Sequence, residues 1–342
     1  MRIGIVNDMA MAAEILRRVV SSLDGCQVAW LARNGQEAIE HCAADTPDLV
    51  LMDLVMPGVD GVEATRRIMQ RTPCPILIVT ASVSGNSDLV YEAMGYGALD
   101  VVATPALGRA GATGAAAELI RKIEQIALVT GIKTVNETSR IPTPVPVEPP
   151  SLPPLIAIGA STGGPNAVAR VLSAFPSTIA AATVIVQHVD EQFAPGLADW
   201  LGKNAKLPVA LARRGIVPQP ANVYVAATND HLCFNSAGAF VYSEQPRGLP
   251  YRPSVDVFFS CVAKYWKAPV VGVLLTGMGR DGARGLLELR QAGYPTIAQD
   301  EDSSVVYGMP KAAAEIAAAA EVLPLDAIGP AVLRHLATLA PR

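Results

Sequence analysis

Basic clusters are missing from this sequence. Across 342 residues, 27 Lys and Arg stand against 31 Asp and Glu, a formal charge of -4. The cations are scattered, so the electrostatic footprint of a DNA or RNA binder is absent. Long apolar runs are missing too. Although 51% of the residues are hydrophobic, none of the runs reaches the roughly 18 residues that would suggest a spanning helix. The Ala-rich piece from Ala312 to Val322 is interrupted by Glu315 and Glu321, and the opening Met1-Arg2-Ile3 reads as a strand rather than a signal peptide. The cysteines at 26, 42, 74, 233 and 261 are odd in number and form no C-x-x-C pair. They are expected to be buried, reduced thiols rather than metal ligands or disulfides. These absences predict a soluble, cytoplasmic protein with no nucleic-acid partner and no direct membrane insertion.

What is present is a repeated alternation of short apolar runs and amphipathic stretches. Ile3 to Val6, Val28 to Ala32, Leu49 to Met52, Ile76 to Val79 and Asp100 to Val102 each precede a helical pattern. That order indicates a parallel sheet with helices on both faces. Ligands on such a sheet gather outside the carboxyl ends of the strands. The polar residues there are Asn7, Asp8, Asp53 and Thr80. Two carboxylates converging on one spot repel unless a cation separates them, and hard oxygen ligands with room for water suit Mg2+. The alternative for Asp8 is a cap on the first helix.

Periodicity stops near Ile132, and Thr134 to Pro154 is dominated by Pro, Val, Thr and Ser. Such a segment is an extended, semi-rigid spacer. Beyond it comes Ile156-Ala-Ile-Gly-Ala-Ser-Thr-Gly-Gly-Pro165, a strand, a sharp turn and a helix start. Gly159-Ala160-Ser161-Thr162-Gly163 satisfies G-x-S-x-G, in which flanking glycines let the backbone lift one hydroxyl clear of the sheet. A phosphate-cradling loop is the competing reading. Against it, Ser161 stands where a dinucleotide fingerprint needs glycine, and the Gly-Lys-Ser/Thr ending of a Walker loop is absent.

The next strand, Thr183 to Gln187, ends at His188, and in a doubly wound sheet it should lie beside the first. His188 then meets Ser161 at one edge, as a base that activates a neutral serine must. Asp190 is an alternative ribose-binding acid, His231 in a turn is a weaker base candidate, and His41 and His335 are expected on exposed helical faces. A second strand, glycine turn and helix follows: Val270 to Leu275, then Thr276-Gly-Met-Gly-Arg-Asp281-Gly282. Asp281 is either an N-terminal charge on that helix or the group that orients the imidazole. Ser161, His188 and Asp281 together make a triad in the order Ser, His, Asp. The amides of Thr162 and of Met278, within Gly277 to Gly279, are the oxyanion donors to expect.

Two resemblances add to this. Leu51-Met-Asp53-Leu-Val55-Met-Pro57-Gly-Val-Asp-Gly61 resembles the phosphoacceptor loop of response-regulator receiver domains. That resemblance implies Asp53 as the phosphorylated aspartate, Asp8, Asp53 and the Val55 carbonyl as magnesium ligands, and Thr80 as the switch hydroxyl. Two positions depart from the pattern: Asn7 replaces one of the acidic pair, and Thr104 replaces the lysine before Pro105. Both predict altered phosphorylation or coupling. The serine turn, Val186-Gln-His188, Arg252-Pro-Ser-Val-Asp256 and Leu275 to Gly282 resemble the motifs of chemotaxis-type protein-glutamate methylesterases, the CheB family, and the opening Ile5-Val-Asn-Asp-Met9 more loosely resembles its Wsp-type subgroup. This implies Ser161 as nucleophile, His188 as general base and acid, Asp281 as orienting acid, and no cofactor in the esterase site. Arg252 is a candidate contact for acidic receptor surface or a structural salt bridge.

The fold class that follows is α/β, two doubly wound parallel-sheet domains joined by a Pro-rich linker. The divisions are a receiver over 1–130, the linker over 131–154 and the methylesterase over 155–342. The implied partners are a methylated chemoreceptor and a CheA-type histidine kinase. The implied control is a receiver that packs over the esterase pocket until Asp53 is phosphorylated. A receiver-controlled binding module, acting as phosphoryl sink or receptor adaptor, is the alternative of a different class.

Overall fold

The computed structural model describes residues 1–81, 86–105, 112–129 and 152–339. The Pro-rich stretch therefore lies outside the described residues up to position 151. The chain divides into two compact units, Met1–Val135 and Asn136–Arg342.

The first unit alternates β1 (Arg2–Val6), α1 (Ala10–Ser21), β2 (Gln27–Ala32), α2 (Gly35–Ala44), β3 (Leu49–Met52), α3 (Gly61–Arg71), β4 (Ile76–Thr80), α4 (Ser87–Gly95), β5 (Asp100–Ala103) and α5 (Ala112–Val129). Its parallel sheet has the order β2-β1-β3-β4-β5. Every residue of β3 and β4 is buried, as expected of strands covered on both faces. Chain direction across the sheet reverses between β1 and β3, so the loops after these two strands splay apart and leave a crevice. Asp8 follows β1 and Asp53 follows β3.

The second unit runs β6 (Leu155–Ala160), α6 (Gly164–Ser173), β7 (Ala182–Gln187), α7 (Ala194–Asn204), β8 (Val209–Ala212), β9 (Val223–Ala226), β10 (His231–Phe234), β11 (Phe240–Ser243), α8 (Val255–Tyr265), β12 (Val270–Leu274), α9 (Ala283–Gln291), β13 (Thr296–Gln299), α10 (Met309–Glu315), β14 (Glu321–Leu323) and α11 (Leu325–Leu339). Seven parallel strands take the order β14-β13-β12-β6-β7-β9-β8, and β10 and β11 form a separate antiparallel hairpin. The core joins sheet, hairpin and α8 through Phe234, Phe240, Phe258 and Trp266. Leu152 packs onto this core, and Trp266 Nε1 donates to the Pro153 carbonyl. The reversal of winding falls between β6 and β12, the strands that lead to Ser161 and to Asp281.

The cysteine expectation is corrected for one pair. Cys233 on β10 and Cys261 on α8 form a disulfide, with Cα atoms 5.4 Å apart. Hairpin and helix pack side by side, a proximity that 28 residues of sequence separation concealed. Cys42 and Cys74 are free and buried, whereas Cys26 is free and half-buried. His41 and His335 are also half-buried rather than exposed: His41 stacks on Trp30, and His335 bonds Glu321.

Candidate functional site

At the end of β6 the chain turns through Gly163, whose φ of 74° lies in the left-handed region that favours glycine, and Pro165 opens α6. The turn is tied from three sides. Ser161 N donates to the Thr276 carbonyl at 3.0 Å, Gln187 Nε2 to the Ser161 carbonyl at 2.7 Å, and Thr276 Oγ1 to the Thr162 carbonyl at 2.9 Å. Gly277 passes so close that a Cβ there would lie 2.8 Å from Ser161 Cβ and 2.3 Å from Met309 Sδ. Ser161 is thus held on a rigid elbow, 7% exposed.

His188 stands on the neighbouring tip, its amide bonded to the Ala160 carbonyl at 3.1 Å. Its Nε2 lies 2.7 Å from Asp281 Oδ2. Asp281 also accepts from Val255 N at 2.7 Å, from Ser254 Oγ at 2.7 Å and from Asp256 N at 3.1 Å. Burial pushes the Asp281 carboxyl up. The bond and charge of His188, with the bonds from Ser254 and Val255, outweigh it and hold the carboxyl below its ordinary range. Asp281 therefore remains an anion that accepts a hydrogen bond from Nε2.

The other ring nitrogen, Nδ1, is buried and has no hydrogen-bond partner. With Nε2–H given to Asp281, Nδ1 carries the free lone pair. Among the described residues no hydrogen bond joins it to Ser161 Oγ. Tyr251 covers the imidazole, ring centroids 4.2 Å apart. The Met278 amide has no acceptor among the described residues.

The remaining candidates separate from this cluster. His231 opens a strand rather than a turn and is fully buried, with Nδ1 accepting from Ser254 N and Nε2 donating to the Pro246 carbonyl. Burial pushes its imidazolium down, and it is a neutral structural group. Asp190 accepts from Asn229 Nδ2 at 3.0 Å. Arg252 forms the structural salt bridge, its Nη2 2.9 Å from Asp230 Oδ1. Sequence reasoning missed Gln187, Tyr251 and Asp256. Gln187 carried a signal as the polar residue that ends the apolar run Val184 to Val186, and Asp256 as the last residue of the Arg252 to Asp256 motif.

In the first unit, Asn7 and Asp53 touch: Asn7 Nδ2 donates to Asp53 Oδ2 at 2.9 Å, and Leu54 N donates to Oδ1 at 2.7 Å. Burial raises the Asp53 carboxyl, the Leu54 and Val55 amides pull it down, and the charge of Asp8 raises it again. A cation between Asp8 and Asp53 would relieve that last effect, and two carboxylates are hard oxygen ligands that suit magnesium. Asp8 does not cap α1, whose N-cap is Met9. Thr80 is buried at the end of β4, and Thr104 N donates to its carbonyl at 2.9 Å.

Comparison with known proteins agrees with both halves. The CheB methylesterase profile matches residues 156–332, and the response regulator receiver domain profile matches residues 3–108. A protein-glutamate methylesterase/protein-glutamine glutaminase of Mesorhizobium japonicum is 55% identical over 97% of this chain and 98% of its own. One of Pseudomonas aeruginosa is 53% identical over 96% and 98%. The CheB methylesterase catalytic domain of Thermotoga maritima superposes with a TM-score of 0.51 at 33% identity, covering 53% of this chain and 97% of that one. A serine elbow beside a paired His and Asp, on a chain this similar from end to end, places the protein in the CheB methylesterase family, with a response-regulator receiver domain ahead of the esterase.

Proposed function

We propose that this chain hydrolyses glutamate γ-methyl esters on methylated chemoreceptors, releasing methanol, and deamidates receptor glutamines by the same acyl transfer. The observation that carries the reading is the His188–Asp281 bond, which leaves Nδ1 as a buried, unpaired base beside the Ser161 elbow. His188 takes the Ser161 proton as Oγ attacks the ester carbonyl. The amides of Thr162 and Met278 receive the oxyanion. His188 returns the proton to the departing methoxide, then draws a proton from the water that opens the acyl-enzyme and restores the carboxylate. Asp281 orients the ring and stabilises its charged form. For a glutamine, ammonia leaves in place of methanol.

The receiver, residues 1–130, takes a phosphoryl group on Asp53 from a CheA-type histidine kinase and raises the activity of residues 155–342 across the linker 131–154. Asp8, Asp53 and the Val55 carbonyl would hold a magnesium ion, whose charge would offset that of the carboxylates and the incoming phosphoryl group. Thr80 is the hydroxyl that follows the modification. The substrate face of a receptor and its kinase are reached from the cytoplasm, and among the described residues no helix is long and apolar enough to cross a membrane.

The test is methanol release from methylated receptor membranes by wild type and Ser161→Ala, with and without a small-molecule phosphoryl donor. Release by wild type alone, stimulated by the donor, is the expected result. Equal release by both proteins overturns the triad. No release from either, with receptor docking intact, favours the binding module.

A further inference from the structure

We propose that Asp256 is a positioning residue for the acid of the triad, holding Asp281 against His188 through an exchange of helix caps between α8 and α9. The proposal rests on the esterase reading of the site.

The exchange is visible in the hydrogen bonds. Asp281, just ahead of α9, accepts the Val255 and Asp256 amides that begin α8. Asp256, in the first turn of α8, returns the arrangement: its Oδ1 accepts Gly285 N at 2.9 Å, and the Gly282 and Arg284 amides also bond its carboxylate. The start of α9 has no side-chain cap of its own, since its N-cap is Gly282. An uncapped helix start leaves amide donors unsatisfied. Asp256 supplies what they lack, and the turn that carries Asp281 is anchored on the same helix start. Loss of Asp256 therefore frees the turn without touching any reacting atom.

Charge makes the arrangement more than a cap. Burial, and then the negative charge of Asp281, push the Asp256 carboxyl up to about 6, against the pull of the three α9 amides. Asp281 is the ionised group facing it from the turn before α9. β6 and β7 bring no titratable side chain to α8, and β10 brings neutral His231. Arg252 is paired with Asp230, and Arg284 is exposed. On acidification Asp256 is neutralised, its grip on α9 weakens, and the second negative charge behind the His188 imidazolium is lost.

The experiment is the pH profile of kcat for methanol release from methylated receptor membranes, over about pH 5 to 8. In wild type the acid limb should exceed a slope of one proton, because protonation of Asp256 adds its own loss to that of the group that already limits kcat. Asp256→Asn, which keeps an Oδ1 acceptor for Gly285 but cannot ionise, should show a slope of one. Its kcat at neutral pH should be about tenfold lower with KM within about twofold, the scale of one lost charge-assisted cap. A merely structural role would not change the slope. Wild-type kcat and slope in Asp256→Asn would overturn the proposal. So would a one-proton limb in wild type, which decides the matter even if the variant does not fold. Release by Ser161→Ala would instead overturn the esterase reading itself.

Discussion

Tyr251 lies flat against His188, ring centroids 4.2 Å apart and planes 4° from parallel. The stack holds the imidazole at the angle from which Nε2 reaches Asp281, and an aromatic face favours the cation that forms when Nδ1 takes the serine proton. Such contacts are worth about 0.5 to 1.5 kcal/mol. Tyr251→Ala should therefore lower kcat for methanol release up to about tenfold, with little change in KM. Tyr251→Phe, which keeps the stacked ring, should retain most of the activity. Equal losses in the two variants would point to the hydroxyl instead.

Gln187 offers a test of the elbow rather than of the base. It is 2% exposed, and its Nε2 satisfies the Ser161 carbonyl at 2.7 Å. Gln187→Leu leaves that buried carbonyl without the side-chain donor, a cost of about 1 to 3 kcal/mol. We expect a lower thermal midpoint and a reduced kcat together. A variant with wild-type kcat would show that the Thr276 bonds hold the elbow unaided.

Much of this arrangement was legible in the sequence, because parallel strands buried on both faces read as apolar runs and each run ended in the residue that mattered. Ile158 led to Ser161, Val186 to His188, and Leu275 to Asp281. Sheet topology then brought the three tips together, as neighbouring strands in a doubly wound sheet require. The residues that escaped notice act across elements. Tyr251 reaches His188 from an irregular segment, and Asp256 caps a helix other than its own. Neither relationship has a local pattern. The Cys233–Cys261 disulfide was missed for the same reason, since only the packing of β10 on α8 shows it.

The raised carboxyl of Asp256 also predicts how stability changes with pH. Its folded-state value, about 6, exceeds the ordinary 3.8. The folded protein thus binds this proton more tightly than the unfolded chain does. The contribution is fully present below the ordinary value and is lost as pH rises through about 6. Asp256→Asn carries no such loss. Urea midpoints should favour the variant over wild type more at about pH 7.5 than at about pH 4.5. An offset that is the same at both pH values would mean that burial does not hold the proton on Asp256.

Asn7 presents the corresponding question in the receiver. Its amide donates to Asp53 Oδ2 at 2.9 Å, so one carboxylate oxygen is occupied by a neutral donor instead of facing a second acid. Asn7→Asp removes that donor and adds a negative charge beside Asp8 and Asp53. Without a cation the added repulsion should push the Asp53 carboxyl further up and lower the thermal midpoint of the apo protein. With magnesium present the sign reverses, because another hard oxygen strengthens the cation site. Calorimetric titration with magnesium chloride should therefore show tighter binding by Asn7→Asp, by about tenfold if the new charge contributes about 1.4 kcal/mol. Phosphorylation of Asp53 by a small-molecule donor should quicken in parallel. If affinity is unchanged or weaker, Asn7 is not what limits metal binding, and the place to look is Thr104, where the missing lysine charge would act on the phosphoryl group rather than on the ion.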